Sequence, residues 1–119
     1  MRVRISLSCL LVSLALIAGC ASDPAPHEQL KLSEQAVAQA HAVGVAPQMP
    51  ELLMAEEKLA RAQAAMRREH YRKARLEAEQ AELDARLAEA QLLNEKSQLQ
   101  LLELNRGITQ LREQLGAVQ

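Results

Sequence analysis

Between residues 51 and 106 apolar side chains return every three or four positions among Glu, Gln, Arg and Lys, and neither glycine nor proline interrupts them. Helix is the element this spacing predicts throughout. One apolar stripe can be written as heptads, with Leu52, Leu59, Met66, Leu87, Leu101, Ile108 and Leu115 at one seam position. Ala55, Ala62, Leu76, Leu83, Ala90, Leu104, Leu111 and Val118 stand at the other. That frame stays in phase and permits a single very long helix, yet polar residues occupy it at Glu69, Lys73 and Gln80, and again at Asn94 and Ser97. A second stripe, Ala74, Ala78, Ala81, Ala85, Ala88 and Leu92, matches Leu52, Ala55, Leu59, Ala62 and Met66 if the chain bends at residues 67–70. Small side chains on such a stripe let two antiparallel helices approach closely. The bent form is the expectation, with residues 51–67 against 71–92, although no Gly, Asn or Pro marks the turn.

Upstream, a shorter helix is predicted over residues 27–43, with Glu28 in its first turn, Leu32, Ala36, Ala40 and Val43 on one face, and Gly44 just past its end. A loop carrying Pro47 follows, and Pro50 suits the first position of the next helix. Pro24 and Pro26 keep the preceding residues extended. The fold class expected is all-α: a helical hairpin with a short N-terminal helix and a long, partly coiled-coil-like C-terminal helix.

Composition sharpens this picture mainly by exclusion. Among 119 residues Phe and Trp are absent and Tyr71 is the sole aromatic, so an aromatic-rich β core has no material. Four Gly and four Pro are too few for the phosphate-binding loops and tight hairpins of nucleotide-binding folds. Fourteen basic against fifteen acidic residues create no global field for nucleic acid, which is not an expected partner.

The N-terminus adds an address. Arg2 and Arg4 precede a short apolar run from Ile5 to Ile17, the pattern of an export signal and too short for a stable membrane span. Ile17-Ala18-Gly19-Cys20 resembles the lipobox of bacterial lipoproteins. That resemblance implies a signal peptide over residues 1–19, cleavage before Cys20, lipidation of Cys20 and a lipidated tether over 20–26. Residues 27–119 then form the helical domain. Multiple acyl chains anchor stably because each buried CH2 contributes about 0.8 kcal/mol. With Cys9 removed and Cys20 acylated, no thiol is left for a disulfide, a metal or catalysis. Ala21 and Ser22 follow the Cys where an Asp would favour inner-membrane retention, which by resemblance implies the periplasmic face of the outer membrane.

The stretches 54–65, 70–75 (His70-Tyr71-Arg72-Lys73-Ala74-Arg75) and 77–90 resemble a family of small proteobacterial lipoproteins defined by an Ala-rich helical domain of unknown function, with a local likeness to a tetratricopeptide unit. Family members carry a Gly-Asp type turn before the Tyr, where this chain has Arg68-Glu69. The resemblance implies two Ala-rich helices about a short turn and brings no catalytic residue.

Chemistry-bearing constellations are sparse. His27, His41 and His70 fall in three different elements, none with a Cys or second His one turn away, so neither a metal nor any other cofactor is expected. Adjacent carboxylates such as Glu56 and Glu57 point in different directions on a helix and cannot converge on one substrate. The chain is expected not to be an enzyme. One charge anomaly stands out: Arg67, Arg68, Arg72, Lys73 and Arg75 crowd the predicted bend, and the last three oppose the dipole of the helix they begin. They are candidates for binding an anion, whether a lipid phosphate or a cell-wall carboxylate. A solvated turn is the alternative.

Farther on, Leu101, Leu104, Ile108, Leu111 and Leu115 form a seam on a stretch the hairpin cannot cover. They are candidates for self-association, unless the first helix folds over them. The function expected is that of a non-enzymatic, lipid-anchored envelope protein with a structural or interaction role. Its partners would be the membrane, a second copy or another envelope protein, and peptidoglycan. The alternative is a tetratricopeptide-like adaptor that takes a peptide or wall fragment.

Overall fold

The computed structural model describes residues 23–117, and the export signal, the cleavage site and Cys20 lie outside them. The described residues form three helices: α1 (His27–Ala42), α2 (Pro50–Arg67) and α3 (Tyr71–Gly116). The hairpin of α2 against α3 is therefore the observed form. The straight-helix alternative fails at the turn between them.

Both interhelical turns use one backbone device. After α1, the amide of Gly44 donates to the carbonyl of His41 and that of Val45 to the carbonyl of Ala40, with Gly44 at φ 90. After α2, Glu69 donates to Met66 and His70 to Ala65, and Glu69 takes the left-handed position at φ 59. Each is a Schellman closure, which satisfies carbonyls that a helix end leaves open. The second is hard to read from sequence because a glutamate occupies the place that usually takes Gly or Asn. Pro50 begins α2 after an extended Met49, as its fixed φ and missing N–H suit.

The three helices align side by side, with α1 and α3 running the same way and α2 opposite. Their shared core is built mostly of methyl groups. Ala40, Ala55, Ala62, Ala78, Ala81, Ala85 and Ala88 are fully buried, together with Leu52. The second stripe is thus the buried one, and the heptad leucines Leu76, Leu83 and Leu87 face outward. Two details differ from expectation. On α2, Ala65 is buried where Met66 was expected, while Leu59 packs at the edge of the core. On α1 the inward face is turned by about one residue: Ser33 and Val37 are buried and Leu32 is exposed. Ser33 is accommodated because its hydroxyl donates to the Leu30 carbonyl at 2.7 Å and leaves no unpaired polar atom. Its small size also lets α1 lie close to the alanine stripe.

Polar contacts flank the core in a ladder. Lys58 pairs with Asp84, Arg61 Nε donates to Glu77 at 3.0 Å, and Gln91 donates to Glu51 at 3.1 Å, all across the hairpin. Gln29 reaches Glu82 at 2.7 Å, Gln63 reaches Glu34 at 3.0 Å, and His41 lies 2.7 Å from Glu56. These contacts hold α1 in register with both other helices. The hydrogen bond to Glu77 and the nearby Glu57 charge raise the Arg61 guanidinium above its ordinary value.

Candidate functional site

Two regions of the described surface depart from an ordinary solvated bundle, and they lie at opposite ends of it. The first is the turn between α2 and α3. Arg67 closes α2, Arg68 is its cap residue, and Arg72 and Lys73 fall in the first turn of α3. All four are exposed, and among the described residues none has a carboxylate within ion-pair distance. The first turn of α3 contains no acidic residue and His70 gives it no side-chain cap. Its free amides and the cations on it thus present one sign of charge. Glu69, His70, Tyr71, Arg72, Lys73, Leu76 and Asp23 surround an open hollow of about 600 Å³.

Arg75, the fifth member of the basic cluster, is otherwise engaged. Its Nη2 donates to the carbonyl of Pro24 at 3.3 Å. That contact joins residues 51 positions apart and fixes where the chain enters the bundle: beside the basic turn, not at the loop end. No sequence signal marks this, because neither the register of α1 on α3 nor the direction of the preceding segment is written in local spacing.

The second region is the far half of α3. This helix of 46 residues is about 69 Å long, whereas α1 and α2 have 16 and 18 residues. Cover ends where Leu92 packs on the core and Lys96 Nζ reaches the Val43 carbonyl at 3.4 Å. Beyond that point α3 stands alone among the described residues. Leu101, Leu104, Ile108, Leu111 and Leu115 are exposed, Leu104 by 63% and Leu115 by 71%. Leu99 and Leu102 are exposed beside them. α1 does not fold over this seam. Leu104, Gly107, Ile108 and Leu111 line a shallow apolar depression along it.

Among the described residues no group of three or more His, Cys, Asp or Glu is gathered as a metal would need, and no helix is long and apolar enough to cross a membrane.

The pattern of a domain of unknown function (DUF4398) matches residues 28–104. A crystal structure of a DUF4398 family protein from Pseudomonas aeruginosa PAO1 is similar to this chain, with 55% sequence identity and a TM-score of 0.75. The match covers 81% of this chain and 100% of that one. No curated protein matches the chain.

Proposed function

Because the chain belongs to the DUF4398 family, whose function is unknown, we propose from its own residues that it is a non-enzymatic, lipid-anchored protein of the outer membrane's periplasmic face, working as a structural or protein-interaction element of the envelope. The single observation that carries the interaction role is the uncovered half of α3. A helix held by packing on one half and left with a continuous leucine seam on the other is unstable in water unless the seam meets a partner. The lipobox-like ending at Cys20 supports the anchoring.

A second copy of the chain is the partner best matched to the seam. From Leu93 to Gly116, Glu95, Glu103 and Glu113 balance Lys96, Arg106 and Arg112, so two copies do not repel. The positions flanking the seam are mainly amides, Gln98, Gln100, Asn105 and Gln114, which favour neither charge. Five exposed side chains, at roughly 100 Å² of removable surface each, bury about 1,000 Å² over two copies, near the lower bound for a specific interface.

Two measurements test the reading. Mass spectrometry of detergent-phase protein is expected to show an acylated Cys20, and Cys20→Ser is expected to leave the membrane fraction or remain uncleaved. A photo-crosslinker at position 104, activated in intact membranes, is expected to give a product of twice the mass. A discrete cross-link to a different envelope protein would keep the interaction role and replace the second copy. No product at all would remove the role.

A further inference from the structure

We propose that the basic turn between α2 and α3 is a membrane-facing foot, which binds the phosphates of anionic phospholipid in the same leaflet that holds the lipid on Cys20. The inference deepens the lipid-anchored reading and rests on it. Its carrying observation is the place where the chain enters the bundle. Asp23 lines the hollow formed by His70, Tyr71, Arg72 and Lys73, and Arg75 holds the Pro24 carbonyl at 3.3 Å. Cys20 precedes Asp23 by so few residues that even a fully extended backbone reaches about 10 Å. Acyl chains on Cys20 therefore bring this end of the bundle, and no other, to the headgroups.

Net charge at that end calls for an anion, and on the α3 side helix polarity adds to it, whereas Arg67 and Arg68 complement the C-terminus of α2. Arg67, Arg68, Arg72 and Lys73 are exposed and, among the described residues, lack ion-pair partners. Arg72 and Lys73 stand on a helix start whose amides already repel cations, a cost that phosphate oxygens would remove. Asp23 and Glu69 match Arg72 and Lys73 within the hollow, so the excess positive charge of this end comes from Arg67 and Arg68 beside it. With the foot down, α3 rises from the membrane and its bare half is carried away from the surface, where a partner can reach it.

The acylated chain offers a direct test, because processing removes Cys9 and acylation blocks Cys20, so an introduced cysteine is the single free thiol. A nitroxide is placed at Leu76→Cys, beside the hollow, or at Thr109→Cys, about 50 Å farther along α3. The protein is reconstituted into phosphatidylcholine vesicles with or without phosphatidylglycerol. The collision rate with a water-soluble nickel chelate is then read. The label at 76 is expected to be shielded in the anionic vesicles alone, and the label at 109 in neither. Each Lys or Arg near an anionic surface favours the docked state about fivefold. Arg68→Gln with Arg72→Gln and Lys73→Gln thus removes about a hundredfold of that preference and exposes the label at 76 again, while an unchanged thermal melt shows the bundle intact. Equal exposure of position 76 in both vesicles overturns the inference, as does shielding by a soluble wall peptide instead of by lipid. If mass spectrometry shows Cys20 unacylated, the anchoring reading falls by itself. Flotation of that chain with anionic but not neutral vesicles would still support the foot, and failure to float would end it.

Discussion

At φ 59, Glu69 is the residue on which the hairpin turns, and it holds the same left-handed position in its closure that Gly44 holds at φ 90 in the other. A side chain in that region costs about 1–2 kcal/mol, which glycine avoids. A Cβ added at Gly44 meets nothing within 4 Å, so the cost of placing one there is entirely backbone. Glu69→Gly is therefore expected to stabilise the domain by about 0.5–1 kcal/mol, and Gly44→Ala to destabilise it by about 1 kcal/mol. Urea unfolding followed by circular dichroism checks both, and a loss of stability in Glu69→Gly would show that the glutamate makes a contact worth more than its strain. The bend was hard to read in sequence for this physical reason: one stripe favoured a turn while another permitted a straight helix, and the residue at the hinge is one that rarely takes that position.

Helix against helix, stability depends on how closely the alanine stripes approach. Ala78, Ala81, Ala85 and Ala88 of α3 are fully buried against the other two helices, so there is no room for a larger side chain. Ala81→Leu is expected to cost about 1–3 kcal/mol or more by overpacking, where the same change at an exposed position such as Ala90 would be nearly neutral. Leu52→Ala removes the one large apolar side chain that is fully buried among the described residues and is expected to cost about 3–5 kcal/mol. Lys58 and Asp84 are 22% and 18% exposed, which makes them the most sheltered ion pair among the described residues. Asp84→Ala leaves the ammonium with reduced hydration and no partner, an expected loss of about 1–2 kcal/mol, whereas the more exposed ion pairs contribute less. Chemical denaturation of each variant against the parent gives these values directly. The Arg61 shift has no bearing near neutrality. A raised cation pKa adds stability below the unfolded value and loses it as pH climbs through the folded one, and that window is strongly alkaline.

At the scale of the whole molecule, the described residues form a short three-helix bundle continued by a single helix, with a basic turn at one end and an apolar seam at the other. On the function proposed above, such a shape would separate two tasks, attachment and association. Sedimentation of the protein at micromolar concentration is expected to give a dimer or higher species. Leu104→Asp with Leu111→Asp is expected to return it to monomer with its bundle still folded, since burying one leucine of a seam contributes about 1.5–3 kcal/mol and neither residue touches the core. A parent that sediments as a monomer would assign the seam to a different chain. Gly107 lies inside the seam with open space around it, so Gly107→Ala is expected to strengthen the helix by about 1 kcal/mol without blocking association.

Sequence by itself determined the class and nearly all the elements, because helix spacing, Pro50 at a helix start and Gly44 at a helix end act within a few residues of themselves. It also identified the basic cluster, which is contiguous in the chain across one turn, and the leucine seam, which runs along one helix. What only the tertiary structure decided follows from packing between distant segments. The choice between the two stripes went to the alanines, because close approach of α1 and α2 to the first half of α3 buries more than outward-facing Leu76, Leu83 and Leu87 could without a neighbour. The face of α1 was settled by packing of Val37 and Ala40 into the core, which Ser33 permits because its hydroxyl finds its partner within its own helix. The juxtaposition of the tether with the basic turn depends on the register of α1 along α3, set by the contacts of Gln29 with Glu82 and of Arg75 with Pro24. Such pairings across more than fifty residues leave no periodic trace in the chain, because nothing in the spacing of either segment refers to the other.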